Sequence, residues 1–167
     1  MIIATGADHG GFHLKQGVII LLKDLRHTVL DAGAFTEEPS DYPDFAKAVA
    51  GLIISKKAKR GILICGSGVG ACIAANKLPG IRASVCHDTF SARQGVEDDD
   101  MNLLCLGARV IGPELAYEVI RAFITAKFSN APRHRRRLKK VLAIENACQL
   151  EALAKVQKKQ IAALRSQ

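Results

Sequence analysis

Short runs of apolar and β-branched residues alternate along this chain with longer stretches in which apolar positions recur every three or four residues. Ile2–Thr5 reads as a strand, and Phe12 to about Leu25 as a helix. Thr28–Asp31 reads as a second strand. The next helix runs from Tyr42 to about Ser55 and starts around Asp41-Tyr42-Pro43, where a proline suits the first helical turn. Gly61–Cys65 is a third strand, with a helix from about Val69 to Asn76. Ile81–Cys86 and Leu103–Leu106 are two more strands, each followed by a helical segment. Five strands alternating with helices predict an α/β fold, with a parallel sheet covered on both faces and right-handed crossovers. A functional site is then expected outside the carboxyl ends of the strands. The loops of interest all follow strands: Gly6–Gly11, Cys65–Gly70, His87–Asp88 and Gly107–Arg109.

After Asn130-Ala-Pro132 the pattern changes. Leu138, Val141, Leu142, Ile144, Cys148, Leu150, Leu153, Val156, Ile161 and Leu164 recur at roughly helical spacing. One long amphipathic helix is expected, broken once at most. The organisation is therefore an α/β domain over residues 1–130 and a basic helical segment over 131–167. That segment is expected to belong to the same domain and to pack on a partner subunit, or else across its own domain.

Apolar residues make up 49% and charged residues 24% of the 167 residues, which suits one ordinary globular core. No apolar run approaches the length of a membrane span, and no basic region precedes the apolar N-terminus as in a signal peptide. Five cysteines (Cys65, Cys72, Cys86, Cys105, Cys148) show no CxxC spacing. An odd count without a secretory signal points to reduced thiols in the cytoplasm, several of them simply small buried hydrophobes. The net charge of +8 resides in residues 133–167, which hold ten Lys/Arg and two acids. The rest of the chain is neutral.

The segment richest in chemistry is Gly61-Ile-Leu-Ile-Cys65-Gly66-Ser67-Gly68-Val69-Gly70. A buried strand ends in a cysteine, a glycine-rich turn follows, and then a helix. Unpartnered N–H groups and the helix dipole favour an anion there, and the same field favours thiolate. A base beside an oxyanion cradle is what proton transfer next to a carbonyl requires. The turn does not fit GxGxxG, follows the third strand rather than the first, and lacks the P-loop lysine. A tight turn without function is the alternative.

Other features each carry two readings. Asp8 and His9 at the end of the first strand either cap a helix and face solvent, or hydrogen-bond a polyhydroxylated ligand. His9 and His13 are four apart, but no third and fourth metal ligand follows. Glu97-Asp98-Asp99-Asp100 is a solvated helix end or a carboxylate-rich cation site without EF-hand spacing. It lies between a helix and the strand at Asn102, on the edge of the expected site. Arg133-His134-Arg135-Arg136-Arg137 is a solvated basic face, or places Arg133 and Arg137 on one side of a helix as a phosphate clamp.

Taken together, these residues closely resemble ribose-5-phosphate isomerase B and its relatives, the galactose-6-phosphate isomerase subunits. The matching landmarks are Gly6-Ala-Asp8-His9-Gly-Gly-Phe12, Asp41-Tyr42-Pro43, Ile64-Cys65-Gly-Ser67-Gly-Val-Gly70, Ala74-Ala-Asn76-Lys77, Gly80-Ile-Arg82-Ala83, Asn102 with Gly107-Ala-Arg109, and Arg133-His134 with Arg137. They span the chain up to about residue 146, and the last twenty or so residues run beyond the family's usual end. The resemblance implies a Rossmann-like three-layer α/β/α sandwich with a five-stranded parallel sheet, here carrying a C-terminal helical extension. It implies an aldose–ketose isomerase that works without metal or cofactor as a homodimer or tetramer, both subunits contributing to each site. Cys65 would move the proton between C1 and C2, the N–H groups of Gly66 to Gly70, those of Gly66, Gly68 and Gly70 among them, would hold the enediolate oxygen, and Ser67 would relay a proton between the substrate oxygens. Asp8, His9 and Tyr42 would contact sugar hydroxyls or, for His9, the phosphate. Arg109, Arg133 and Arg137 match the phosphate-binding set, some of it reaching in from the partner.

One position departs from the family. Ribose-processing members carry a histidine, assigned to opening the furanose ring, where this chain has Asp98, and the Asn that follows it is Asp99 here. Asp98 takes over ring opening, or the substrate needs none, or Asp98 makes the chain a poor isomerase. A tetrose 4-phosphate has its C4 oxygen esterified and cannot close a furanose ring. Ribose 5-phosphate is the expected substrate, with a tetrose phosphate (erythrulose 4-phosphate to erythrose 4-phosphate) as the alternative. Two different classes stand against an isomerase. A nucleic-acid module would use the basic tail, but only 5% of the chain is aromatic and no stacking platform interleaves the basic residues. A non-catalytic subunit is disfavoured by Cys65 and Ser67. Neither nucleic acid nor a membrane is expected as a partner.

Overall fold

A computed structural model of the chain describes residues 1–165; Ser166 and Gln167, the end of the expected helical segment, lie outside them, as do the side chains of Ile161 and Leu164. The strands are β1 (Ile2–Ala7), β2 (Thr28–Asp31), β3 (Arg60–Cys65), β4 (Ala83–Val85) and β5 (Leu103–Gly107). The helices are α1 (Phe12–Asp24), α2 (Tyr42–Ile54), α3 (Val69–Ala75), α4 (Thr89–Asp99), α5 (Pro113–Thr125) and α6 (Pro132–Arg165), with a 3-10 turn at His9–Gly11 ahead of α1. The chain divides into two compact units, Met1–Ser129 and Asn130–Gln167.

All sheet pairings in the first unit are parallel, in the order β2-β1-β3-β5-β4. Alternate residues of the central strands feed two separate cores. Ile3, Ala7, Ile62, Ile64, Leu104 and Leu106 pack with buried residues of α1, α4 and α5. Ala4, Leu63, Cys65, Leu103 and Cys105 face the other way, with buried residues of α2 and α3. This is the expected three-layer α/β/α sandwich. Both faces of the sheet are dry, which is why β3 reads as an unbroken apolar run after Arg60. α5 shows the helical logic most plainly: Ala116, Val119, Ile120, Phe123 and Ile124 are its buried residues, at spacings of three and four.

The order has one consequence for function. From β1 the chain moves outward to β2, then returns across the sheet to place β3 on the other side of β1. The loops that leave β1 and β3 therefore diverge, and a crevice opens between them at the carboxyl edge.

β4 is shorter than the apolar pattern predicts. Ile81–Cys86 was expected to be a strand, but only Ala83–Val85 pairs. Gly80 has a left-handed φ of 83°, and the N–H of Ile81 closes a turn onto Leu78 O. The N–H of Arg82 goes to Asn102 Oδ1 at 2.8 Å instead of to the ladder. The Asn76 amide then grips Ala83 at both ends, each bond 2.9 Å, so this short edge strand is tied by side chains. In the second unit, α6 is a single helix of 34 residues without the break that the sequence allowed.

Two buried cations brace the first unit. Arg60, at the start of β3, donates to Phe123 O and, at 2.8 Å, to Ala126 O, occupying carbonyls that the end of α5 leaves open. Burial lowers its pKa, a shift that the Asp100 carboxylate opposes. Lys15 on α1 is fully buried and donates to both oxygens of Asp31 at 2.6 and 2.8 Å. Asp31 also accepts from Gly33 N at 3.0 Å, and Gly33 O receives Ala7 N. The ion pair thus holds the segment against which the end of β1 is built. Lys15→Ala leaves that carboxylate without its cation and should cost about 3 kcal/mol in urea unfolding; a loss under about 1 kcal/mol would contradict the bracing role.

Candidate functional site

Glycine sets the geometry of the crevice because backbone meets backbone there. A Cβ on Gly11 would lie 2.5 Å from Ile64 O, so only glycine lets the turn after β1 settle on β3. Gly68 has a φ of 81°, and a Cβ on it would lie 3.0 Å from the carbonyl carbon of Leu106. The turn after β3 is thereby pressed onto β5. Its donors point at the strand end. Gly68 N–H donates to Cys65 Sγ at 3.1 Å, and Val69 N–H donates to Ser67 Oγ at 3.3 Å. Among the described residues the N–H groups of Gly66 and Ser67 have no acceptor. Cys65 is nearly buried, while Ser67 is exposed at the mouth.

Two further walls complete the pocket. Asp8 is 7% exposed; its Oδ1 accepts Gly11 N–H at 3.1 Å and caps the 3-10 turn, so the capping reading holds alongside its place on the pocket wall. The backbone N–H of His9 donates to Ser40 Oγ, and its Nδ1 accepts from Ser40 N–H, both at 3.1 Å. Nε2 is the nitrogen this leaves for a ligand. Tyr42, at the first turn of α2, lays its ring over Gly70, where a Cβ would lie 2.8 Å from Cζ. Arg109 follows β5 and runs along Gly66, its Cδ 3.5 Å from the position a Cβ would take there. Asp8, Tyr42, Cys65, Gly66, Ser67, Gly70, Arg109 and Val110 line a cavity of about 390 Å³. A thiol, a hydroxyl, a carboxylate, a phenol, a guanidinium and unpaired N–H groups thus converge on a space suited to a small polar anion.

Two expected site residues lie elsewhere. α4 starts at the carboxyl edge, where Asp88 Oδ1 caps it by accepting Ser91 N–H at 2.7 Å. It then runs back, so Asp98 and Asp99 come out at the amino edge. There Arg82 Nε, just ahead of β4, donates to Asp100 O at 2.8 Å, and Arg82 Nη2 pairs with the Asp100 carboxylate at 2.7 Å. The sequence placed the acidic run on the edge of the site; within one chain it occupies the opposite edge of the sheet from Cys65. Arg133 and Arg137 stand one turn apart near the start of α6, both exposed, with Arg133 Nε donating to His134 Nε2 at 2.8 Å. Sequence reasoning missed Val110 and Ser40. Val110 is visible only as the neighbour of Arg109, and no local signal marks Ser40, which lies 31 residues from His9.

The thiols are not alike. Cys72, one turn into α3, is only half-buried, and its pKa is lowered to about 7, chiefly by the hydrogen bond from the Cys105 thiol. Cys105 is pushed well above the usual thiol range by the same bond and by burial. Cys72 is therefore more than a small buried hydrophobe. Among the described residues no group of three or more His, Cys, Asp or Glu side chains could hold a metal ion, and no helix is long and apolar enough to cross a membrane.

Comparison with known proteins bears on this arrangement. A family model for ribose/galactose isomerases matches residues 3–141. The chain is 42% identical over 143 residues to ribose-5-phosphate isomerase B of Escherichia coli, covering 86% of this chain and 95% of that one. It is 46% identical over 127 residues to a D-erythrulose-4-phosphate isomerase of Pectobacterium atrosepticum, covering 75% of this chain and 84% of that one. The structure of ribose-5-phosphate isomerase B from Clostridium thermocellum superimposes with a TM-score of 0.86 at 44% identity, over 88% of this chain and 99% of the other.

Thiolate forms at Cys72 as pH rises toward about 7. Its iodoacetamide labelling, read by mass spectrometry at this residue, should therefore climb with pH and level off above neutrality. A rate still climbing well above neutrality, as for an ordinary thiol, would contradict the hydrogen bond from Cys105.

Proposed function

The chain belongs to the ribose/galactose isomerase family and is an aldose–ketose isomerase of sugar phosphates; we propose that it interconverts ribose 5-phosphate and ribulose 5-phosphate through the Cys65–Gly70 turn. The observation that carries this reading is the convergence of a strand-end thiol, a neighbouring hydroxyl and unpaired N–H groups in one cavity.

Isomerisation moves one proton between adjacent carbons and a second between their oxygens. Cys65, as thiolate, takes the proton from C2 of the open-chain aldose. The C2–H electron pair becomes the C1–C2 double bond of an enediolate, and the carbonyl pair moves onto O1. The N–H groups of Gly66, Ser67 and Gly70 stabilise that charge, the kind of donor array in which a single loss typically costs about 10²–10³ in rate. Ser67 passes the O2 proton to O1. The enediolate then collapses toward a C2 carbonyl as Cys65 returns its proton to C1, and atoms and charge balance without a net oxidant. Asp8, Tyr42 and His9 hold hydroxyls, and Arg109 meets the phosphate.

Single-chain geometry also supports a shared site. Asp98 and Asp99 lie at the amino edge of the sheet, away from Cys65, so a role for them at the sugar requires a second copy of the chain. A homodimer in which Asp98, Asp99, Arg133 and Arg137 approach the partner's cavity accounts for them, and the basic start of α6 becomes a phosphate clamp rather than a nucleic-acid surface.

Asp98 favours a second reading. A carboxylate where ribose-processing relatives carry the ring-opening histidine suits a tetrose phosphate, which has no furanose ring to open. The likeness to a D-erythrulose-4-phosphate isomerase lends this reading weight.

Turnover over four-, five- and six-carbon sugar phosphates separates the readings. Efficient conversion of ribose 5-phosphate is expected; conversion of tetrose 4-phosphates alone would transfer the assignment to the second reading, and conversion of none would end both. Mixing inactive Cys65→Ala with inactive Arg137→Ala subunits should restore activity through hybrid dimers. No recovery after subunit exchange would mean that each chain builds its site alone.

A further inference from the structure

Gly107 closes β5 at the same level as Cys65 on β3. On its other side β5 loses its neighbour at this point. Cys86 N–H makes a last bond to Cys105 O at 3.3 Å, and the chain then leaves the sheet for the cap of α4 at Asp88. Gly107 is buried, so its N–H needs an acceptor that β4 no longer supplies. A side chain provides it: Gly107 N–H donates to His87 Nε2 at 3.0 Å. A backbone amide can only donate, so Nε2 carries no proton, and the neutral ring keeps its hydrogen on Nδ1.

The peptide held this way is the one on which the glycine turn rests. A Cβ on Gly68 would lie 3.2 Å from Gly107 N, and a Cβ on Gly107 would lie 2.6 Å from both the carbonyl carbon and the oxygen of Ser67. The next two N–H groups tie the same strand end to the turn: Ala108 donates to Cys65 O at 2.9 Å and Arg109 to Gly66 O at 3.0 Å. The Leu106–Gly107 peptide is thus clamped between an imidazole on one side and the Ser67–Gly68 backbone on the other.

We propose that His87 is a positioning residue of the isomerase: by accepting the Gly107 N–H it fixes the peptide that backs the Gly66–Gly70 donors. It meets no reacting atom. It acts through a backbone that must not shift while charge develops on the enediolate, since donors misplaced by a fraction of an ångström lose their advantage in the transition state. This inference rests on the isomerase reading for its catalytic consequence, but the hydrogen bond itself can be measured without substrate.

The test compares the full-length protein with His87→Ala and His87→Gln, since a glutamine oxygen supplies an acceptor at similar reach. Steady-state turnover is measured alongside hydrogen exchange at the amides of Gly107, Ser67 and Gly68. His87→Ala should lower kcat by roughly tenfold or more while KM moves less than about threefold, and should expose the Gly107 amide to exchange. His87→Gln should restore most of the turnover and the amide protection. Parental kcat in His87→Ala, a glutamine variant as impaired as the alanine one, or lost turnover with unchanged protection of Gly107 would each overturn the proposal. If the parent protein converts no sugar phosphate, the isomerase reading fails on its own. The exchange data then decide the positioning role: protection lost in His87→Ala and kept in His87→Gln supports it, and unchanged protection overturns it.

Discussion

The structure depends on one contact above the rest: bare backbone meeting bare backbone at the carboxyl edge of the sheet. The turn after β1 lies on Ile64 through Gly11, and the turn after β3 lies on Leu106 and Gly107 through Gly68. Remove either approach and the crevice between the two diverging loops is no longer lined by main-chain donors. The strand order makes the crevice, because β2 and β3 leave β1 on opposite sides. Glycine makes it narrow enough for N–H groups to act on a ligand the size of a sugar phosphate. The thiol of Cys65 then sits at a strand end, where packing on both sheet faces fixes its position.

That contact is maintained by polar groups set back from the cavity. The Lys15–Asp31 pair organises the segment next to β1, Arg60 occupies the carbonyl end of α5, and His87 takes the amide that the departing β4 leaves open. Each stands where regular secondary structure runs out of partners. Burying a charge is expensive unless its hydrogen bonds are met, and Lys15 meets its own with the Asp31 carboxylate while Arg60 takes carbonyls that the end of α5 leaves open. Stability and catalysis are linked here through ordinary backbone satisfaction.

Much of this was legible in the residues. Strand and helix periodicities located every major element of the α/β unit, and Cys65 with its glycine turn marked the cavity. What escaped was long-range. β4 was drawn too long because Asn102, twenty residues on, claims the N–H of Arg82. The acidic run that includes Asp98 was expected on the edge of the site, but sequence adjacency does not say at which edge of a sheet a helix ends, and within one chain α4 carries it to the edge opposite Cys65. The lowered pKa of Cys72 has no local signature, since its thiol partner Cys105 belongs to another element. His87 was noted as part of a loop after a strand, with nothing local to reveal the amide it would serve. The three-residue turn at His9–Gly11 is too short to leave a periodicity, although the capping potential of Asp8 was visible.

The central claim is that Cys65 moves the carbon-bound proton while the neighbouring N–H groups hold the oxygen charge. It is tested most directly by following exchange of the substrate C2 hydrogen with deuterated solvent in the parent protein and in Cys65→Ala. The account predicts rapid exchange in the parent. In the variant exchange should collapse by several orders of magnitude, while the fold and the affinity for the sugar phosphate persist. Exchange at the parental rate in folded Cys65→Ala would contradict it and assign the proton transfer to another group in the cavity.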